Sequence, residues 1–311
     1  MGIRLLRPVF LQSPRMRQRL VNLLSSVEFY LKVVLACTLL QQLFHVVLSP
    51  VRARLGLFQE AAIFWLAGSL ATYAFGFLIE RVLKQRTDLR QRWTVRAAKV
   101  KPQQFPAFTA FGIVRGELKW FATALLLVWA SRHVDRGAGI AANAGWFLLS
   151  IASADLLFFI AHFALHQRPF LRIHLKHHHF RDTSSFVAGY KSNVEYCITT
   201  LTDYLPVLLF GHDITQLCAW VVVGTAFNLE GHSSLSIFFV GWDFHDRHHT
   251  GFRDNYSIQG FWDVLLGTLR EPARQRRFPF LVNMLLAPPP PRSPGRTDFA
   301  TGPVEEAILD P

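Results

Sequence analysis

The 311-residue sequence contains few cysteines, and they are not grouped. Cys37, Cys197 and Cys218 lie far apart, and no Cys-x-x-Cys spacing occurs. A disulfide-stapled domain needs an even set of cysteines at regular spacing, so that class is excluded. We expect these thiols to be buried or to face lipid, because free cysteine behaves as a small apolar side chain.

Acidic residues are scarce as well, with 21 Asp and Glu against 33 Lys and Arg and a formal net charge of +12. Residues 1–26 contain five arginines and no acid, and residues 81–101 contain eight basic residues and one acid. Both segments lie beside apolar runs. This pattern is typical of cytoplasmic membrane-flanking segments, so we predict a cytoplasmic N-terminus and no nucleic-acid partner.

Hydrophobic residues make up 51% of the sequence, and the mean hydropathy is +0.23. The first apolar run is too long for the core of a signal peptide. Four runs are candidate membrane spans, the third of them short, and two later runs are marginal for a crossing. The four are 27–48, 57–79, 118–130 and 140–165, and the two are 194–210 and 214–229. We predict an all-α, multi-span bundle of about four transmembrane helices plus a membrane-associated hairpin.

If the N-terminus is cytoplasmic and each of the four runs crosses the membrane once, the end of the fourth run lies on the cytoplasmic side. The first histidines lie at that end. A histidine-rich cap is therefore expected there. The predicted organisation has four parts. They are a basic N-terminus at 1–26, a membrane hairpin and basic loop at 27–110, a catalytic domain at 111–286 and a disordered Pro-rich tail at 287–311.

Histidine is the unusual residue, since 11 of the 13 lie between positions 162 and 249. His162 and His166 are four residues apart, which places both on one face of a helix. The pattern His-x-x-His-His occurs twice, and its spacing confines three imidazoles to an arc of about 100°. Each set is expected to converge on a common centre. The two sets are His174, His177 and His178, and His245, His248 and His249.

Imidazole is a ligand suited to iron, zinc, copper and nickel. Eight clustered histidines together with His232 are too many for one ion, so two metals are expected. His179 follows His174 by about 140° of helical rotation, which makes it a doubtful ligand. His45, His133 and His212 stand alone and are interpreted as interfacial or loop histidines.

Two other polar residues accompany the histidines. Asn228 precedes His232 by one helical turn and could bind metal directly or through water. Asp155 shares a helix face with His162 and His166 inside an apolar run, where a carboxylate is costly. We expect Asp155 to accept a hydrogen bond from a ligand imidazole, with pairing to a neighbouring helix as the alternative.

The order of these motifs resembles the fatty acid hydroxylase and sterol desaturase superfamily of membrane di-iron oxygenases, over about residues 145–270. The stretch from Thr183 through Tyr190 to Glu195, with His232-Ser233, is most similar to the methylsterol oxidase and cholesterol hydroxylase branch. Ser234 and Ser257 depart from that branch, where glycine is usual. The matching pieces are Asp155 to His162-Phe-Ala-Leu-His166, His174-Leu-Lys-His177-His178, Glu230-Gly-His232-Ser, His245-Asp-Arg-His248-His249, Asn255-Tyr256, Trp262-Asp263 and Leu266-Gly267-Thr268.

The resemblance implies that nine histidines bind two irons, with zinc a possible substitute in an isolated form. They are His162, His166, His174, His177, His178, His232, His245, His248 and His249. It also implies a lipid substrate, O2 as co-substrate and electrons from a separate reductase, cytochrome or ferredoxin. Asn255, Trp262 and Asp263 are expected to support the last cluster rather than to react.

We therefore predict an O2-dependent lipid hydroxylase or desaturase. Ether-lipid cleavage and aldehyde decarbonylation stay open, because such reactions would share the metal site. The alternative from another class is a histidine-rich metal transporter or metal-binding membrane protein. A transporter would place its ligands near the bilayer midplane, whereas these histidines cluster at helix ends.

Overall fold

The computed structural model describes residues 14–83, 110–132, 134, 139–179, 184–233, 235, 237–239 and 244–270. Within these ranges the regular secondary structure is helical, so the predicted all-α class is confirmed. Most of the basic loop before residue 110 lies outside the described residues. The predicted disordered tail at 287–311 does too.

Nine α-helices lie within the described ranges. A π-helical turn, Leu78–Leu83, continues α2, and two 3-10 turns, His177–His179 and Ser185–Gly189, connect α5 to α6. The helices are α1 Pro14–Arg52, α2 Leu57–Phe77, α3 Ala110–Ser131, α4 Ile140–Leu165, α5 Leu171–His174, α6 Asn193–Leu209, α7 Ile214–Gly231, α8 Phe244–Gly251 and α9 Phe261–Leu266.

Three stretches of the described chain are long and apolar enough to cross a membrane: Asn22–Arg52, Leu57–Val82 and Ile140–Leu165. They correspond to the predicted first, second and fourth spans. The predicted third span is a helix, α3, but is not among the three. Arg115, Glu117 and Lys119 lie together in its first half and lower its hydropathy.

Helix α3 nevertheless runs antiparallel to α2 along most of its length. The Glu117 carboxylate accepts hydrogen bonds from Trp65 Nε1 at 2.8 Å and from Ser69 Oγ at 2.6 Å. At the other end of α3, Arg132 donates to the carbonyl of Leu55 at 3.0 Å. The chain therefore returns to the level of the α1–α2 turn before α4 begins, which preserves the crossing order that the sequence predicts.

Helix α7 occupies the centre of the bundle, because most of its residues are buried and it packs against α1 and α2. Its N-terminus is fixed by Asp213, whose side chain accepts from the backbone N–H of Thr215 and Gln216. Because α7 packs against other helices on more than one side, its sequence is hydrophobic around the whole helix.

The two ends of the bundle differ. At the end where α1 begins, Ser26 Oγ donates to the carbonyl of Gln259, and Tyr30 Oη donates to Asp155. The segments after α4 that contain the two His-x-x-His-His motifs and His232 collect at this end, called the histidine end below. At the opposite end, Arg52 near the end of α1 pairs with Asp213 at 3.2 Å.

Candidate metal centre

The nine predicted histidines come together in two groups at the histidine end. Within each group the candidate ligand nitrogens all lie within 4.8 Å of one another. The first centre is His162, His166, His174, His178 and His248, and the second centre is His177, His232, His245 and His249.

Each His-x-x-His-His motif serves both centres, so the expectation of one common centre per motif is wrong. His174 and His178 belong to the first centre, while His177 between them belongs to the second. The physical reason is the local backbone: α5 ends at His174, and residues 177–179 form a 3-10 turn. Consecutive side chains on such a turn point about 120° apart, so neighbours reach different centres.

The second motif divides in the opposite sense. His245 and His249, one helical turn apart on α8, belong to the second centre, and His248 belongs to the first. The two motifs therefore interlock, each giving an i, i+4 pair to one centre and a single imidazole to the other. This arrangement holds the two centres side by side.

The imidazole Nε2 atoms face one another at short range. They are 2.9 Å apart between His178 and His174, and 3.4 Å apart between His232 and His177. A cation with bonds of about 2.1 Å places its ligands about 3.0 Å apart at right angles and about 3.4 Å apart at tetrahedral angles. Several nitrogen lone pairs directed at one point repel unless a cation binds there. The donor set of each group therefore fits a metal ion.

Hydrogen bonds at the opposite ring nitrogen fix the tautomer that leaves Nε2 free to bind metal. Three imidazoles donate from Nδ1–H to an oxygen: His162 at 2.8 Å, His232 at 2.8 Å and His248 at 2.7 Å. All three acceptors are backbone carbonyls, those of Tyr256, Asn228 and Asp254. Such outer hydrogen bonds orient ligand imidazoles and increase their basicity toward the metal.

Burial and mutual repulsion keep the imidazoles neutral. Burial, followed by the neighbouring His248, lowers the pKa of His166 to about 3, and burial lowers the pKa of His248 to about 4. Burial also lowers the pKa values of His177 and His249 well below the ordinary value. Neutral imidazole is the form that coordinates metal, so the site is ready to bind metal at physiological pH.

Glu195 contributes an outer hydrogen bond that the sequence reasoning did not assign. Its Oε1 accepts from His174 Nδ1 at 2.9 Å, and the side chain is almost fully buried. Ser192 caps α6 by accepting from the Glu195 backbone N–H. A Ser-x-x-Glu spacing normally predicts that the glutamate reaches back to its own helix cap. Here it accepts from His174 instead.

Asp155 differs from its predicted role, because its hydrogen bonds do not go to a ligand imidazole. Its carboxylate accepts from Tyr30 Oη and from the backbone N–H of Ile258 at 2.6 Å. The alternative prediction, pairing with a neighbouring helix, matches the Tyr30 contact. Asp155 therefore acts one step further out, since it anchors the segment whose Tyr256 carbonyl holds His162.

Asp263 anchors the same segment from the other side. Its carboxylate accepts from the backbone N–H groups of Tyr256 and Ser257, both at 2.8 Å. It also accepts from Thr268 Oγ1 at 2.6 Å. Asp263 is predicted to support the last cluster, but its contacts go to the turn that positions His162, so two buried carboxylates fix this turn.

The remaining candidates belong to neither group of histidines. Asn228 holds His232 through its backbone carbonyl, while its exposed side chain lines the adjoining cavity. His179 is exposed and lies near Tyr190, in neither group. His212 is buried far from the centres, hydrogen-bonded to Ser150 and stacked on Phe147. His45 lies within α1, and His133 is outside the described residues.

Phe252 covers the first centre in a strained backbone conformation. Its φ of 65° lies in the left-handed region, which is unfavourable for a bulky residue. The ring packs 4.5 Å from His178 and 5.0 Å from His166, measured between centroids. Strain of this kind persists where surrounding contacts impose it, and here it places an apolar lid on the imidazoles.

The helices and the two imidazole groups define an integral membrane protein whose histidine end is suited to binding metal. Residues 147–268 match the family model described as fatty acid hydroxylase. This match and the relatives described next support the resemblance to the fatty acid hydroxylase and sterol desaturase superfamily, and to its methylsterol oxidase branch, that the motifs predict.

Several curated proteins are similar over the same region. Human fatty acid hydroxylase domain-containing protein 2 is 29% identical over 133 residues, 40% of this chain and 39% of the relative. Methylsterol monooxygenase 1 from Gallus gallus is 29% identical over 36% of this chain and 41% of the relative. Methylsterol monooxygenase erg25A from Aspergillus fumigatus is 33% identical over 40% and 46%. The matched region thus spans less than half of each relative, and no solved structure matches significantly.

Proposed function

We propose that this protein is a membrane-bound di-iron oxygenase that inserts oxygen into a C–H bond of a lipid. The observation that carries the proposal is the division of nine imidazoles into two adjacent centres. They open onto a cavity that is walled mainly by apolar side chains. Hydroxylation balances when the lipid and O2 consume two electrons and two protons and yield the alcohol and water.

The nine histidines, from His162 to His249, would hold both irons, and bound iron would supply reductive activation of O2. The residues of the chain supply orientation and water exclusion. Glu195 and the Tyr256 carbonyl hold His174 and His162 in place, and Phe252 shields the first centre. The apolar cavity wall brings a lipid carbon next to the imidazoles without competing water.

The electron donor is proposed to be a separate acidic redox protein that docks on the histidine end. Arg168, Arg172 and Arg253 are exposed and flank the histidine-bearing segments in sequence. Like the basic segments, this surface is proposed to face the cytoplasm. Complementary charge would speed docking, so electron transfer should slow as ionic strength rises.

The test uses the full chain reconstituted in lipid nanodiscs with iron, a reductase system and a methylsterol. We expect two irons per chain by elemental analysis, O2 uptake that depends on the lipid, and an oxygenated product by mass spectrometry. Zinc-loaded protein should be inactive. Metal flux into vesicles without lipid-dependent O2 uptake would instead support the transporter alternative and overturn the proposal.

A further inference from the structure

The cavity beside the histidine groups is long. It runs between α4, α6 and α7, from the imidazoles of His162 and His232 to a far end formed by Ile151 and Trp220. Eleven residues of helix separate Ile151 from His162, a rise of about 16 Å. The cavity therefore extends deep into the bundle, with Ala154, Phe158, Val221 and Phe227 among its apolar walls.

One wall carries polar side chains at regular spacing. Glu195, Thr199 and Asp203 lie four residues apart on α6, and all three line the cavity. Glu195 binds His174 and so marks the metal end. Asp203, two turns further along α6, lies about 12 Å from Glu195 along the helix axis.

Asp203 is a carboxylate without a protein hydrogen bond among the described residues. A carboxylate in an apolar helix is costly, and one that faces a cavity indicates a functional role. Tyr204 and Trp220 line the same cavity toward its far end. The carboxylate can therefore accept a hydrogen bond from a molecule that fills the cavity.

The charge nearby indicates what kind of group binds. Lys191 interacts electrostatically with Asp203 and also lines the cavity, where its ammonium donates to Thr199 Oγ1 at 3.3 Å. Because one cation already compensates the carboxylate, a neutral donor is favoured over a second cation. A hydroxyl group is such a neutral hydrogen-bond donor, and lipid alcohols carry one.

We infer that Asp203 determines substrate specificity by accepting a hydrogen bond from the hydroxyl of a lipid alcohol whose remote end reaches the metal centres. This inference rests on the proposed oxygenase function. It specifies the substrate class as an alcohol and the oxidised carbon as one about 12 Å from the hydroxyl. A carbon directly beside the hydroxyl would lie at the wrong end of the cavity.

The test measures equilibrium binding of radiolabelled cholesterol and of its methyl ether to the iron-loaded full chain in nanodiscs. The ether keeps the shape and loses the hydrogen-bond donor. A buried hydrogen bond to a charged group should make the wild type prefer the alcohol by about 10- to 100-fold. Asp203→Leu should abolish the preference, and Asp203→Asn, which keeps the shape and an acceptor oxygen, should retain part of it.

Thr225→Val is the matched control, because it removes another polar atom from the cavity wall at constant shape. It should leave the preference unchanged. Equal weakening of both ligands in Asp203→Leu, or no preference in the wild type, would overturn the inference. Tighter binding of the corresponding 3-amino sterol would assign the carboxylate to a cation instead.

O2 uptake and product analysis on the same samples separate this inference from the function on which it rests. A wild type that binds the alcohol through Asp203 but oxidises no lipid would contradict the oxygenase function and leave the anchor intact. A wild type that oxidises lipid, with a preference for the alcohol that survives in Asp203→Leu, would contradict the anchor alone. Oxidation at the carbon beside the hydroxyl would contradict the inferred orientation.

Discussion

The two ends of the helix bundle both contain buried polar side chains, but these side chains are paired in opposite ways. At the end away from the histidines, donors meet acceptors: Gln216 Nε2 donates to Asn143 Oδ1 at 2.9 Å, and Asn143 Nδ2 donates to Gln41 Oε1 at 3.0 Å. This opposite-end network comprises Gln41, Arg52, Asn143, Asp213, Thr215 and Gln216.

At the histidine end, like atoms face like atoms. Nε2 of His166 lies 3.0 Å from Nε2 of His248, and Nε2 of His249 lies 3.2 Å from Nε2 of His245. Buried polar groups in folded proteins are normally matched within the protein. The opposite-end network satisfies this rule by itself and is structural, whereas a bound cation would satisfy the converging imidazole Nε2 atoms. The direction of the donor atoms thus separates a binding site from a structural polar core.

The largest expected effect is at three consecutive histidines. His177→Ala should remove the metal of the second centre and His178→Ala that of the first, because the two residues belong to different centres. Each variant should hold about one iron per chain and form no detectable product. Iron content by elemental analysis and product by mass spectrometry measure both effects.

His179→Ala is the control for this pair, since His179 is exposed and in neither group. It should keep both irons and normal activity. Loss of both irons in each ligand variant would show that the centres bind cooperatively. Two retained irons with full product in His177→Ala would refute the metal assignment.

The next effect is at the hydrogen bond between Glu195 and His174. Glu195→Gln should lower iron affinity or turnover by about 10- to 100-fold, the usual cost of losing an outer partner of a ligand histidine. Competition with a chelator measures the affinity. Glu117→Gln makes the same change between α2 and α3 and should affect stability without changing iron affinity. Equal loss of iron in both variants would contradict the role of Glu195.

Sequence spacing located these histidines because i, i+3 and i, i+4 relations are set within a single turn of chain. It did not predict how each motif divides between two centres, because that depends on α5 ending at His174 and a 3-10 turn following. The rule that three such side chains share one face holds only within a continuous α-helix.

Long-range partners explain the other differences. Asp155 binds Ile258, which is 103 residues away, and Tyr30 on α1, 125 residues away. Neither contact leaves a local pattern in the sequence. Glu195 did leave one, the Ser-x-x-Glu spacing, but that spacing predicts a helix cap and gives no sign of the bond to His174. The tertiary contact with His174, and not the local spacing, determines which hydrogen bond the Glu195 side chain makes.

Acid should destabilise the histidine end. Unfolded histidines take up protons below about pH 6.5, whereas the folded pKa is about 3 for His166 and about 4 for His248. The unfolded state therefore binds more protons in this window, and stability falls as the pH decreases from about 6.5 toward 4.

Each of these two histidines should cost about 1.4 kcal/mol at pH 5.5, one unit below the unfolded pKa. Denaturant unfolding of the metal-free protein in detergent micelles, at a series of pH values, measures the loss. An unfolding free energy that stays constant between pH 7 and pH 5 would show that the imidazoles are not held neutral.

The smallest effect on iron binding is expected in the opposite-end network, where a double-mutant cycle tests the structural interpretation. Asn143→Leu takes the acceptor away from Gln216 Nε2, and Gln216→Leu takes the donor away from Asn143 Oδ1. Each single change should destabilise the fold by about 1 to 3 kcal/mol, because a buried polar atom loses its partner. The double variant should cost less than the sum, since both ends of the shared bond are gone.

Iron content per folded molecule should stay at the wild-type value in all three variants, because the network carries no metal ligand. Additive losses, or loss of iron, would show that this end is coupled to the metal centres and is not a separate structural core.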